Sequence, residues 1–255
     1  VDIYIITGAS KGIGFALSKQ LLRKNHHLIC ISRTKNEELE KIANQGDYPL
    51  YYIEQDLAQT DELSYLMERI WQVIPNDFET ITLINNAGMI EPIGKVESLS
   101  SEAMANNIAV NLTAPMILTS MFINRLENKP IGKKIINISS GAGRHPYNGW
   151  SSYCAGKAGL DHFTRVVSNE QANKENEIKI ISIAPGIIDT EMQEKIRSVK
   201  AEDFELVDKF IGYKENNQLQ TADQTAKALI KLIQSPSFFQ LPPVADLRNM
   251  EIEIE

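Results

Sequence analysis

Ile3-Tyr4-Ile5-Ile6-Thr7-Gly8-Ala9-Ser10-Lys11-Gly12-Ile13-Gly14 decides the fold. Residues 3–6 form a short, continuous apolar run, which reads as a strand buried on both faces, as in a parallel sheet. Gly8 bounds the run, and a helical pattern follows through Ala16, Leu17, Leu21 and Leu22. Strand, glycine turn and helix together give a glycine motif its meaning. The glycines let backbone approach a pyrophosphate, and the helix N-terminus adds its dipole. Gly8, Ser10, Lys11, Gly12, Ile13 and Gly14 are therefore candidate cofactor contacts. The spacing is G-x-x-x-G-x-G rather than the common G-x-G-x-x-G.

The next strand, residues 28–31, ends in Ser32-Arg33. An Asp or Glu closing this strand would accept from the 2′-hydroxyl of NAD. Here Arg33 and Lys11 supply two cations and no carboxylate, which fits a 2′-phosphate and hence NADPH. A third strand at 50–53 leads to Asp56-Leu57. Asp56 is placed to touch an adenine amino group or to cap the next helix. A fourth, at 80–84, runs into Asn85-Asn86-Ala87-Gly88, and Asn86, Ala87 and Gly88 suit a loop packed against a cofactor. Residues 98–126 read as a long helical region, interrupted near Asn107, with Asn111 inside it despite its low helix propensity.

The chemistry sits between residues 139 and 157. Ser140 ends the fifth strand, 133–138, and Tyr153 and Lys157 lie four residues apart, on one face of a helix spanning 151–173. An ammonium beside a phenol favours the phenolate, so the Tyr153 pKa is expected to fall. Ser140 and Tyr153 could hold and protonate a carbonyl oxygen. No side chain supplies hydride, so a nicotinamide must. His145, Tyr147 and Trp150, just before Tyr153, form an aromatic wall for a flat substrate or close the core. A sixth strand, 178–183, ends at Pro185-Gly186, with Thr190 starting a helix. The charged, amphipathic segment 190–214, which begins with Met192 near its start, reads as a substrate lid or as two surface helices. The last helix covers 221–233.

Composition bounds the rest. The 255 residues are 43% hydrophobic and 23% charged, ordinary for a globular protein. A formal charge of −7 argues against a nucleic-acid surface. Cys30 and Cys154 form no C-x-x-C, and the four histidines lack ligand spacing, so no metal is expected. No apolar run reaches membrane-span length and no signal peptide precedes the first strand. A cytoplasmic location is the default expectation. With no repeat or linker, residues 1–255 are expected to form one α/β domain: a Rossmann-type, doubly wound parallel sheet of about seven strands with helices on both faces.

These motifs, in this order, resemble those of the short-chain dehydrogenase/reductase family over about residues 2–235. The glycine motif at 7–14, Asn-Asn-Ala-Gly at 85–88, Ser140/Tyr153/Lys157, and Pro185-Gly186 with Thr190 each match. The resemblance implies that Tyr153 protonates the carbonyl and Ser140 orients it. Lys157 would bind the nicotinamide ribose and lower the Tyr153 pKa, while Asn111 holds a proton-relay water. Thr190 and the Ile188 backbone would meet the carboxamide. Lys11 and Arg33 match the basic pair of NADPH-preferring members. Homodimers or tetramers are usual, packing the 98–126 and 151–173 helices.

Within the family the chain most resembles the sepiapterin reductase group, including bacterial members that reduce 1,2-diketones such as benzil. An NADPH-dependent carbonyl reductase of dicarbonyl or pterin-like ketones is implied. In that group an Asp a few residues past a Phe near the end anchors the substrate. Phe239 and Asp246 have the matching spacing, although Pro242-Pro243 replaces the expected Gly-containing stretch. Two alternatives stand beside this reading. One is a 3-oxoacyl-thioester reductase, which shares the core motifs but usually carries a glycine-rich C-terminal strand. The other is an NADPH-binding sensor or scaffold without turnover.

Overall fold

Six isoleucine-rich runs become six parallel strands. The structure is a computed structural model describing residues 1–250; the closing Glu-Ile-Glu-Ile-Glu at 251–255 lies outside the described residues. In chain order the elements are β1 (Asp2–Thr7), α1 (Gly12–Leu21), β2 (His26–Ser32), α2 (Glu37–Gly46), β3 (Leu50–Glu54), α3 (Leu63–Val73) and β4 (Thr80–Asn85). Then come α4 (Ser101–Ile108), a π-helical turn (Ala109–Thr113), α5 (Ala114–Leu126), β5 (Gly132–Ile138), α6 (Ser151–Gln171) and β6 (Lys179–Ala184). The chain continues through β7 (Ile188–Asp189), α7 (Glu191–Ser198), α8 (Val207–Glu215), β8 (Gln220–Thr221), α9 (Ala222–Gln234) and β9 (Val244–Asp246).

The main sheet has seven strands in the order β3-β2-β1-β4-β5-β6-β9, every neighbouring pair parallel. Alternate residues of each strand face opposite sides. Tyr4 and Ile6 pack with Leu17 of α1, Leu39 of α2 and Leu229 of α9. Ile3 and Ile5 pack with Leu66 of α3, Phe122 of α5 and Val167 of α6 on the other face. Burial on both faces explains why the strands read as unbroken apolar runs rather than alternating ones.

The order reverses between β1 and β4, so a crevice opens there at the carboxyl ends of the strands. Caps fix several neighbouring helices. Asn36 Oδ1 accepts from Leu39 N of α2 (2.9 Å), while its Nδ2 donates to Ser10 O in the glycine loop (2.8 Å). Thr221 and Gln224 form a reciprocal capping box on α9. The interruption expected near Asn107 is the π-helical turn, one residue beyond α4, and it carries Asn111.

Two features escaped the sequence reading. β7 and β8 form a separate two-residue parallel pairing. β9, which completes the seventh position, follows Pro242-Pro243 and pairs Asp246 with Ala184. A third apolar cluster, off the sheet, joins Trp150 and Tyr153 to Ile196 of α7, Phe204, and Val207 and Phe210 of α8.

Candidate active site

The crevice encloses about 970 Å³ at the carboxyl edge of the sheet, near the upper end of ordinary ligand sites. Of the candidate site residues singled out from the sequence, all but Gly14, Asn111, His145 and Asp246 line it. Gly14 sits behind the loop instead: a Cβ there would fall 2.2 Å from Gly8 O. Its role is to let α1 pack on the turn, not to face the crevice.

One end of the crevice is built from backbone braced by polar side chains. Asn86 Nδ2 donates to Thr7 O (2.9 Å) and Gly8 O (3.2 Å), and Thr7 Oγ1 accepts from Asn86 N and Ala87 N (3.0 Å each). The loops after β1 and β4 are thus clamped together across the switch point. No side chain caps α1, so its first N–H groups are left for a ligand. An uncapped helix start behind a glycine loop fits the pyrophosphate of a dinucleotide. Asp56 lines the crevice, and its Oδ1 accepts from Ala58 N (3.0 Å), an Asx turn rather than a helix cap.

Arg33 is exposed and has no ion-pair partner among the described residues. Lys11 is paired: its Nζ lies 2.7 Å from both carboxylate oxygens of Glu191, at the start of α7. Lys11 in turn holds the Glu191 carboxyl below its ordinary range. Lys195 of α7 pairs with Glu91. Two ion pairs therefore tie α7 to the chain after β1 and to the chain after β4.

At the other end, Tyr153 and Lys157 are buried side by side on the first turns of α6. Ser140, half-buried at the end of β5, accepts from Ala142 N (3.2 Å) and stands near the Tyr153 phenol. The expected fall in the Tyr153 pKa does not occur. Burial pushes the phenol up to about 12, with Ser140 opposing. The reason lies with Lys157, whose Nζ donates to Ile138 O (2.9 Å) and stands 5.7 Å from the Tyr153 ring centroid. Burial lowers the Lys157 ammonium to about 8, with Asp161 opposing. The phenol is thus fully protonated at neutral pH, as a proton donor must be.

Asn111 lies beneath this pair, fully buried. Its Nδ2 donates to Met89 O (2.8 Å) and Asn107 Oδ1 (3.0 Å), and its Oδ1 accepts from Met89 N (3.3 Å). Gly88 separates it from Lys157: a Cβ there would lie 3.1 Å from Asn111 Oδ1 and 3.5 Å from Lys157 Nζ. The π-helical turn therefore brings the amide near Lys157, which accounts for an asparagine inside a helix.

Of the three residues read as a wall or as a core closure, Tyr147 and Trp150 line the crevice, while His145 is exposed and does not. Trp150 stacks on Phe204 (centroids 4.6 Å, 8° between planes), meets Tyr153 edge-on at 5.9 Å, and touches Tyr147 at 5.0 Å. Asp246 does not enter the crevice. It is buried and takes both Nε (2.9 Å) and Nη2 (2.7 Å) of Arg248, with Arg144 Nη1 at 3.6 Å. The expectation fails because two arginines occupy the carboxylate. Arg248 lines the crevice in its place. Nothing in the sequence singled it out, since Arg248 lies beyond the short strand that Pro242-Pro243 obscured.

The family profile described as short chain dehydrogenase matches residues 2–201. The chain is a short-chain dehydrogenase/reductase. It is 42% identical over 237 residues to a benzil reductase ((S)-benzoin forming) of Bacillus cereus, covering 92% of this chain and 95% of that protein. It is 31% identical over 247 residues to the sepiapterin reductase of Mus musculus, covering 92% and 93%. Among solved structures, 4-hydroxyisoleucine dehydrogenase complexed with NADH superposes with a TM-score of 0.79 at 28% identity, covering 96% of each chain. This short-chain dehydrogenase/reductase belongs with the benzil and sepiapterin reductases, is an oxidoreductase acting on CH–OH/C=O groups, and uses a nicotinamide cofactor. No helix among the described residues is long and apolar enough to cross a membrane.

Proposed function

We propose that the protein is an NADPH-dependent reductase of dicarbonyl or pterin-like ketones, with Tyr153 as the proton donor. The observation that carries this reading is the buried, protonated Tyr153 phenol beside Ser140 and Lys157 at the carboxyl edge of the sheet. A nicotinamide bound in the crevice supplies the hydride. Tyr153 gives its proton to the carbonyl oxygen as charge develops there, and the Ser140 hydroxyl holds that oxygen. Lys157 carries its charge below about pH 8. That charge stabilises the phenolate left behind, and its remaining N–H groups are free for a ribose hydroxyl. Asn111 keeps the chain beside Lys157 in place and returns protons through water.

Gly12, Ile13 and the start of α1 hold the pyrophosphate. Arg33 and Lys11 take the 2′-phosphate, and no acid closes β2 to favour a bare ribose. Asp56 and Leu57 flank the adenine; Thr190 and Ile188 meet the carboxamide. Residues 190–214 act as a lid within a single domain. The B. cereus and mouse relatives, named for a diketone and a pterin, support the substrate class. Met116 on α5 and Val166 on α6 are exposed, which suits a homodimer packed through these helices in the cytoplasm.

The test is oxidation of NADPH and NADH by the purified protein with benzil, sepiapterin and an acetoacetyl thioester. The expected result is strong NADPH preference with benzil or sepiapterin turned over. In Tyr153→Phe, kcat should fall by roughly 10²–10⁴ while NADPH binding is kept. Turnover of the thioester alone, or unchanged turnover in Tyr153→Phe, overturns the reading.

A further inference from the structure

The last strand delivers a cation to the crevice. β9 runs beside β6 and pairs Asp246 with Ala184, and the chain then turns so that Arg248 lies two residues beyond the carboxyl edge. Its backbone N donates to Asp246 Oδ1 (3.0 Å), and the side chain bends back onto the same carboxylate through Nε and Nη2. The stem of Arg248 crosses Gly186. There φ is +98°, and a Cβ would sit 3.4 Å from Arg248 Cγ and Cδ. Any other residue at 186 would strain the backbone.

Asp246 uses only the side edge of the guanidinium. The end edge, formed by Nη1 and the second Nη2 hydrogen, has no partner among the described residues. The side chain is 52% exposed and lines the crevice. Arg248 stands on the crevice side of its ion pair, so the pair presents its positive end to a ligand. An arginine end edge matches the two oxygens of a carboxylate.

The surroundings agree in sign. Arg248 shares the crevice wall with Tyr147 and Tyr213. Lys209, exposed on α8, places its Nζ 5.9 Å from the Tyr213 ring and has no acidic partner among the described residues. The acids on the crevice wall are occupied elsewhere: Glu91 by Lys195, Glu191 by Lys11, and Asp56 by the Ala58 amide. The rings of Tyr147 and Trp150 stand between this basic corner and Tyr153.

We propose that Arg248, assisted by Lys209, is a carboxylate subsite at the far end of the substrate pocket. The preferred substrates are then keto acids, with an apolar or aromatic body against Tyr147 and Trp150 and a carboxylate remote from the reacting carbonyl. This inference rests on the reductase reading and sharpens its substrate class.

The test uses 4-carboxybenzil and its methyl ester with NADPH, with calorimetric binding of each ketone to the enzyme–NADP+ complex in parallel. In the wild type the acid should show kcat/KM and affinity at least about tenfold above the ester. Arg248→Met should raise KM for the acid about tenfold or more and leave the ester within about threefold, with little change in kcat. Arg248→Lys should keep part of the preference. Lys209→Met, at an exposed site that folding does not need, should cost the acid about two- to fivefold. Equal handling of acid and ester by the wild type overturns the subsite, as does equal loss for both in Arg248→Met. Arg248-dependent binding of the acid without reduction of either ketone would leave the subsite standing and overturn the reductase reading instead.

Discussion

The two ends of the crevice are made from different materials. The end beside β1 and β4 is made of backbone: a glycine loop, an uncapped helix start, and a second loop clamped to the first by Asn86 and Thr7. The end beside Tyr153 is made of side chains from distant segments. Trp150 and Phe210 come from two parts of the chain, with Phe204 packed against both, and Arg248 comes from a third. A backbone-built site leaves its mark in contiguous residues, because glycines and amides must stand at fixed offsets. A site built from packed rings leaves no such mark, since any large apolar residue of suitable shape would serve.

The sharpest way to break this comparison is Lys157, which sits where the two ends meet. Its pKa is lowered from 10.5 to about 8 by burial. In the unfolded chain the amine binds its proton up to the higher value. The fold therefore bears a penalty that is fully present below about pH 8 and relieved as pH rises from there towards 10.5. At neutral pH that penalty is roughly 3 kcal/mol, partly offset by the bond to Ile138 O. Lys157→Met should lower kcat by at least about a hundredfold while raising Tm at pH 7 by about 2–6 °C. Steady-state kinetics and a thermal melt check both. In the wild type kcat/KM for NADPH should decline above about pH 8, as the free enzyme loses this charge. A flat profile, or a lower Tm in the variant, would show that Lys157 serves structure more than chemistry.

A smaller effect tests the cofactor end alone. Arg33→Ala should raise KM for NADPH about tenfold to a hundredfold and leave NADH use nearly unchanged. Equal changes for both cofactors would remove the 2′-phosphate argument. The smallest effect lies on the strap between the ends. Glu191→Gln frees Lys11 and should lower Kd for NADPH about two- to fivefold, measured by quenching of protein fluorescence. No change would mean that Lys11 does not reach the phosphate.

The loops that build the β1 and β4 end of the crevice were legible in the sequence, because each short apolar run ended in a loop of distinctive composition. The sequence also singled out Ser140, Tyr153 and Lys157, which the fold brings to one end of the crevice, and it marked Asn111 as an asparagine whose place inside a helix needed a reason. It erred on the Tyr153 pKa because spacing along a helix says which face a residue shares, not where a lysine tip points. Lys157 points to the Ile138 carbonyl. Asp246 was misplaced for a related reason. Its partners Arg144 and Arg248 flank it in space, but Arg144 lies 102 residues away in sequence. The paired strand β9 that aims Arg248 is three residues long and follows two prolines, too short a pattern to be seen in a single chain.

The contact between Lys11 and Glu191 has a consequence for traffic through the site. A 2′-phosphate that takes Lys11 displaces an anion belonging to the protein, and the same anion stands ready to reclaim the lysine afterwards. The spent cofactor, which must leave after every cycle, therefore departs against a rival already tethered beside it. An internal competitor of this kind loosens the grip and shortens the stay, so departure of the cofactor is less able to set the pace of turnover.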